Sequence, residues 1–187
     1  MKLSKTKRNN LIFIVVIALL VFPQTRKPIQ VALHKGLALF GPSIASETNR
    51  VSISYQDWQL QDLDGNKLNF KDLKGKVVFL NFWATWCPPC IAEMKSIDQL
   101  YATFNDDVAF ILVSGENPKV VQKFLDKKEY GLRSYTPQSK YPSDFKVKSI
   151  PRTYVINKKG EIVIDKGGAA NWNSEKLNTL ITELLAE

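Results

Sequence analysis

The 187-residue sequence predicts an α/β fold with a central mixed sheet flanked by helices, preceded by an N-terminal membrane anchor. Strand-like and helix-like hydrophobic patterns alternate from residue 53 to residue 185, which is typical of a βαβ unit. The last two strand patterns are separated only by Lys158-Lys159-Gly160, which indicates an antiparallel hairpin. Basic residues followed by an apolar run open the chain, as in exported proteins.

The strand patterns differ in the burial they predict. Residues 53–60 alternate like an edge strand, and Asp64-Gly65 marks a turn. Residues 76–82 form a nearly continuous apolar run, which suits a central strand covered on both faces. The later strands are predicted at residues 108–113, 152–157 and 161–166, with a short strand or loop at 131–135.

Helices are predicted where apolar residues recur every three or four positions. Residues 89–104 fit this spacing, and residues 118–128 follow Asn117 as a cap and Pro118 at the first helical position. Residues 174–185 form the last helix, and residues 141–146 allow a short one.

The positive charge is concentrated in the first 50 residues. They hold eight basic residues and one acidic residue, a charge of +7, which leaves only +1 for residues 51–187 of the overall +8. A protein that binds nucleic acid carries its positive charge on the folded domain, so this distribution argues against that class.

The leader predicts attachment to the cytoplasmic (inner) membrane. Residues 1–10 are a basic cytoplasmic flank and residues 11–22 are apolar, about 18 Å of helix against a hydrocarbon core of about 30 Å. No small-X-small cleavage site follows directly, which favours an uncleaved, single-pass signal anchor over a cleaved leader. The basic flank stays inside, so the remainder is expected to be extracytoplasmic (periplasmic).

Residues 23–50 are expected to form a linker, and residues 51–187 the catalytic domain. Within the linker, residues 29–40 have helical apolar spacing interrupted by Lys35. They are expected either to lie on the outer membrane surface or to connect the anchor to the domain as a plain helix.

Both cysteines of the chain occur in Cys87-Pro88-Pro89-Cys90, between the central strand pattern and a helix pattern. Free backbone N–H groups at a helix start lower the pKa of a thiol, and the thiolate is the attacking species. Cys87 is therefore the predicted nucleophile, at a helix start that is usually exposed. Cys90, one turn further, is predicted to resolve a mixed disulfide.

Two other uses of the cysteines fit the sequence less well. A structural disulfide gains most by closing a long loop, and this one closes only two intervening residues. A zinc site needs four ligands, but the chain has two cysteines and one histidine, His34. No metal and no cofactor are therefore expected.

The segment Asn81-Phe82-Trp83-Ala84-Thr85-Trp86-Cys87-Pro88-Pro89-Cys90 resembles the active-site segment of the thioredoxin superfamily, and most closely the membrane-anchored TlpA/ResA-like branch. Residues 62–68, 72–77 and 149–156 resemble that branch's leading β-hairpin, its entry to the central strand, and its cis-proline loop. The resemblance covers residues 53–187 and implies a thioredoxin-like fold with an N-terminal β-hairpin.

The resemblance also assigns roles to residues near the cysteines. It implies a cis Ile150–Pro151 bond, with the Pro151 ring beside the cysteines and the Ile150 backbone paired with a substrate peptide. Trp86 is expected to form an apolar platform beside the reactive sulfur, with core packing as the alternative. Pro88 and Pro89 stiffen the turn but lack N–H groups for the thiolate.

The carboxylate that accepts the proton of the inner cysteine is expected at a different sequence position from that in ordinary thioredoxins. Ordinary thioredoxins have a buried aspartate where this sequence has Asn81, so Glu93, one helical turn after Cys90, is the predicted proton acceptor. The alternative for Glu93 is a solvent-facing residue that stabilises the first helical turn.

The predicted function is that of an extracytoplasmic thiol–disulfide oxidoreductase. The resemblance favours reduction of disulfide-containing client proteins, including in cytochrome c maturation, with a membrane electron donor restoring the dithiol. Two alternatives remain. A thiol peroxidase places Thr three residues before its cysteine, whereas Thr85 is two before Cys87. A non-enzymatic binding module would not need the paired cysteines.

Overall fold

The computed structural model describes residues 5–37 and 41–187. Two helices, α1 (Lys5–Val21) and α2 (Pro23–Leu37), precede an eight-stranded mixed sheet. Among the described residues, no single helix has the length and hydropathy of a membrane span. The segments Lys5–Leu19 and Gln24–Gly36 have that length and hydropathy only when they are combined, and the chain bends by 88° between the two segments.

The sheet has the order β1-β8-β7-β4-β5-β6-β2-β3. Strand β4 is parallel to β5, β5 is parallel to β6, and all other neighbours are antiparallel. The strands are β1 (Val51–Ser52), β2 (Gln59–Asp62), β3 (Lys67–Asn69), β4 (Val77–Phe82), β5 (Val108–Val113), β6 (Ser134–Pro137), β7 (Arg152–Ile156) and β8 (Glu161–Gly167). This arrangement confirms the mixed sheet, the central strand and the hairpins at both ends of the domain.

Three helices follow the sequence pattern closely. They are α3 (Pro88–Phe104), α4 (Pro118–Lys128) and α5 (Glu175–Ala186). The Asn117 side chain caps α4 by accepting from the Lys119 backbone N–H at 3.0 Å, and Ser174 caps α5. All three helices contribute apolar side chains to the core on one face of the sheet.

The opposite face is covered by an aromatic core without a long helix. Strand β1 lies at one edge of the sheet and β2 near the other, so the chain between them crosses this face. It carries Trp58, which is fully buried and packs within 5.5–6.1 Å of the rings of Phe70, Phe82, Tyr141 and Phe145.

Two local predictions were wrong. Residues 53–60 are not one edge strand, because Tyr55 adopts φ +45° and the chain leaves the extended conformation between β1 and β2. Residues 141–146 form a turn instead of a helix. There the Asp144 carboxylate accepts from the Ser54 backbone N–H and hydroxyl, and Phe145 packs into the aromatic core.

Candidate active site

The two cysteines form a disulfide at the start of α3, directly after the loop that follows β4. Cys87 is the N-cap residue, and prolines occupy the first two helical positions. Because prolines have no N–H, the Cys90 backbone N–H is the first one that the helix offers, and it donates to Cys87 Sγ at 3.3 Å. The same donor can stabilise a thiolate on Cys87 after reduction.

Cys87 is less accessible than the sequence predicts. Cys87 is only 3% exposed, and Cys90 is fully buried. The Ile150 carbonyl oxygen lies 3.8 Å from Cys87 Sγ, so the loop before β7 covers the sulfur. We call the surface next to Cys87, beside this loop and the start of α3, the opening.

The Ile150–Pro151 peptide bond is cis, as expected. Strand β7 pairs antiparallel with β4 so that Arg152 lies opposite Phe82. This register brings the residues just before β7 next to those just after β4. Residues that are 63 positions apart in sequence, Cys87 and Ile150, thus meet at one end of the sheet.

An apolar rim surrounds the opening, and we define it as Trp86, Pro88 and Ile150. Trp86 is 58% exposed, which excludes the alternative of core packing for this side chain, whereas Trp83 is buried. A cavity of about 320 Å³ opens beside the rim. Its lining is mostly apolar and includes Phe82, Val113, Tyr141, Val147 and one carboxylate, Glu116.

Beneath the cysteines lies a buried polar cluster, which we define as Glu93, Asn81, Thr153 and Trp172. Glu93 Oε1 accepts from Asn81 Nδ2 at 3.0 Å, and Glu93 Oε2 accepts from Trp172 Nε1 at 2.8 Å and the Ala170 backbone N–H at 3.2 Å. Asn81 Nδ2 also donates to Thr153 Oγ1 at 2.8 Å. Glu93 is 1% exposed, so it is not a solvent-facing helix residue.

Burial raises the pKa of Glu93 from 4.5 to about 7. Desolvation is the largest cause, and the hydrogen bonds from Trp172, Asn81 and Ala170 oppose it by stabilising the carboxylate. A carboxyl group with this pKa can both accept and release a proton near neutral pH. It lies one turn after Cys90 on the same helix.

A second carboxylate, which the sequence analysis did not identify, fixes the loop before the cysteines. The Thr85 backbone N–H donates to Glu116 Oε2 at 2.6 Å, and the Thr85 hydroxyl donates to Oε1 at 2.7 Å. Ser114 Oγ lies 3.3 Å from Oε2. This two-point contact ties the segment before Trp86 and Cys87 to the end of β5.

Trp172 and Thr153 were also not predicted from the sequence. Trp172 precedes α5 in a loop, and it meets Glu93 across 79 positions of sequence, so no local pattern marks it. Within residues 5–37 and 41–187, no group of three or more His, Cys, Asp or Glu side chains is placed to hold a metal ion.

Comparisons with known proteins agree with this geometry. Residues 52–164 match the model of the AhpC/TSA family. The chain is 37% identical over 128 residues to the thiol–disulfide oxidoreductase ResA of Halalkalibacterium halodurans, covering 65% of this chain and 72% of that protein. It is 31% identical over 163 residues to ResA of Bacillus thuringiensis, covering 84% and 87%.

A solved structure is similar in fold. The crystal structure of a candidate thiol:disulfide interchange protein DsbE from Chlorobium tepidum superposes with a TM-score of 0.60 at 24% sequence identity. The superposition covers 72% of this chain and 96% of that one. At this identity the likeness shows the fold alone, which is the predicted thioredoxin-like fold.

Proposed function

Because this chain belongs to the AhpC/TSA family and is a thiol–disulfide oxidoreductase, we propose that it reduces disulfides of client proteins outside the cytoplasm. The observation that carries the proposal is the Cys87–Cys90 disulfide at the start of α3, above a buried carboxyl group and beside an apolar cavity.

In the reduced protein, the Cys87 thiolate attacks one sulfur of the client disulfide. A bond forms between Cys87 and that sulfur, and the other client sulfur leaves as a thiolate that takes a proton from water. The Cys90 N–H and the helix start stabilise the attacking thiolate, since both favour negative charge at Cys87.

Cys90 completes the transfer. Its thiol loses a proton to the Glu93 carboxylate, and the resulting thiolate attacks Cys87 Sγ. The Cys87–Cys90 bond forms, and the bond from Cys87 to the client breaks. The released client sulfur leaves as a thiolate that takes a proton from water, so the client departs as a dithiol. Two electrons have passed to the client. A pKa of about 7 makes Glu93 suitable for this proton transfer.

The rim and the cavity are proposed to bind the client. Trp86, Pro88, Pro89 and Ile150 would offer apolar surface and backbone groups beside the disulfide, with the buried Pro151 next to them. An extended client segment would pair with the Ile150 backbone as an added strand. An apolar client side chain would enter the cavity of about 320 Å³.

The same proposal includes the anchor and the division of the chain. Residues 1–10 would remain cytoplasmic, and residues 11–22 would enter the cytoplasmic membrane. Residues 23–50 would link this anchor to the extracytoplasmic domain, which residues 51–187 would form. A membrane dithiol donor would reduce Cys87–Cys90 after each cycle. We propose apocytochrome c as a client, as the resemblance of residues 53–187 to the TlpA/ResA-like branch implies.

The reduction potential of the Cys87–Cys90 pair tests the direction of electron flow. We expect a value near or below about −250 mV in dithiothreitol buffers, together with reduction of insulin. A value near −120 to −150 mV would make the protein a disulfide donor or isomerase instead. Substantial turnover of hydrogen peroxide would favour the thiol peroxidase alternative. Absence of both insulin reduction and peroxide turnover would favour a binding module.

A further inference from the structure

Helix α2 has two faces of different character. Three half-buried residues, Gln30, Val31 and His34, lie on the side that packs against α3. The opposite side exposes five residues without polar side chains, which is unusual for a helix surface facing water: Pro28, Ile29, Ala32, Leu33 and Gly36. The half-buried Thr25 also lies on this side, but its hydroxyl is bonded to backbone carbonyl oxygens. Ile29 is 41% exposed and Leu33 is 64% exposed.

Basic residues border this apolar face on both sides. At about 100° per residue, Arg26 lies about 60° from Ile29 on one side, and Lys35 lies about 60° from Ala32 on the other. The sequence of α2 contains no acidic residue. An apolar face between cations is the arrangement of helices that lie in the interface of a bilayer with anionic lipids.

The connection to α1 determines how such a helix would meet a bilayer. Only Phe22 separates α1 from α2, and the two segments are bent by 88°. Pro23 cannot donate the hydrogen bond that would continue α1, and the Thr25 hydroxyl bonds the carbonyl oxygens of Leu19 and Phe22 at 2.7 and 3.0 Å. With α1 upright in a bilayer, this hydrogen-bonded corner directs α2 along its surface.

We propose that α2 is a membrane-surface helix, with its apolar outer face at the headgroup–acyl boundary and its inner face supporting α3. The proposal rests on the anchor in the proposed function. Arg26, Lys27 and Gln30 line a cavity of about 370 Å³ with Trp86 and Pro88 of the rim. The rim therefore lies about one helix diameter, roughly 10 Å, above the bilayer surface, where a membrane-embedded dithiol donor can reach Cys87.

The test places a fluorescent thiol label at single positions of the full chain, in a Cys87→Ser, Cys90→Ser background. The labelled positions are Leu33→Cys on the outer face of α2, Phe13→Cys in α1, and Val120→Cys on α4 as the matched control, since Val120 is a 48% exposed apolar residue on a helix of the domain. The chain is reconstituted in vesicles of phosphatidylcholine and phosphatidylglycerol. Quenching is measured with a nitroxide lipid and with aqueous iodide.

We expect the labels at positions 13 and 33 to be quenched by the nitroxide lipid and protected from iodide, and the label at position 120 to behave in the opposite way. If the label at 13 is in lipid but the label at 33 matches the label at 120, the surface helix is disproved while the anchor stands. If the label at 13 is also in water, the anchor fails and this inference fails with it. Leu33 and Val120 are exposed, so an unchanged thermal transition verifies that each variant is folded.

Discussion

Trp86 of the rim directly precedes Cys87, and Glu93 of the buried polar cluster lies one turn after Cys90, yet the surroundings of the two regions are opposite. Trp86 of the rim is 58% exposed and makes its contribution through apolar surface. Glu93 of the cluster is 1% exposed and is held by three hydrogen bonds. Changes at the rim should therefore alter client binding with little effect on stability, whereas changes in the cluster should alter stability and its pH dependence.

Cys87 and Cys90 join these two regions, and their replacement has the largest expected effect. Serine is a far poorer nucleophile than a thiolate at neutral pH, so Cys87→Ser and Cys90→Ser should each reduce insulin-reduction activity to background. Cys90→Ser should in addition accumulate a mixed disulfide between Cys87 and the client, visible by mass spectrometry, and Cys87→Ser should not. An adduct that forms on Cys90 in the Cys87→Ser protein would reverse the assigned order.

Glu93 provides the next largest effect, which appears in the pH dependence of stability. Its folded-state pKa is about 7 and its ordinary value is 4.5, so between these values the folded chain binds more protons than the unfolded chain. The free energy of unfolding should therefore fall by about 3 kcal/mol as pH rises through this window, and stay level above it.

Glu93→Gln should remove this decline, measured by urea unfolding at several pH values. A glutamine amide can be accommodated because Asn81 Oδ1 has no hydrogen-bond partner among the residues that the structure describes, and rotation of the Asn81 amide would present that oxygen as an acceptor. Glu183→Gln, at an exposed carboxyl group on α5, is the matched control and should keep the decline. Glu93→Gln should also slow alkylation of Cys90 near neutral pH. An unchanged alkylation profile would contradict proton transfer to Glu93.

The sequence predicted the parts of this site that depend on short-range patterns. The position of the cysteine pair between a strand and a helix, the cap at Asn117 and the spacing of Glu93 from Cys90 are all local, and the structure has them as predicted. The cis bond before Pro151 was predicted from the family resemblance.

Contacts between distant segments could not be predicted in the same way. Trp172 and Thr153 meet Glu93 and Asn81 only after the sheet has formed, and hydrophobic periodicity carries no information about such pairings. Residues 53–60 alternate like a strand, but burial of Trp58 and a left-handed Tyr55 take the chain across the sheet instead. Here tertiary packing overrides local preference.

Substitution of Glu116 should have a smaller effect, and it tests whether the contact with Thr85 holds the loop before the cysteines in position. Glu116→Gln keeps the size of the side chain, but its amide can accept only one of the two hydrogen bonds from Thr85. We expect a loss of about 1–2 kcal/mol in the free energy of unfolding and a lower kcat/KM for insulin reduction. Thr85→Val, which loses the hydroxyl but keeps the backbone N–H bond, should have the milder effect. Equal stability of Glu116→Gln and wild type would show that the contact does not hold the loop.

The smallest effect on stability is expected at Trp86, where it distinguishes the rim from the cluster most sharply. Because the side chain is 58% exposed, Trp86→Ala should change the free energy of unfolding by less than about 0.5 kcal/mol. Removal of the aromatic surface should lower kcat/KM for a protein client by about fivefold, mainly through KM, since an aromatic contact contributes about 1 kcal/mol to binding. Reaction with dithiothreitol, which is too small to use the rim, should be unchanged and serves as the control. A shifted reduction potential in this variant would mean that Trp86 tunes the sulfur chemistry itself, and the division of roles between rim and cluster would be wrong.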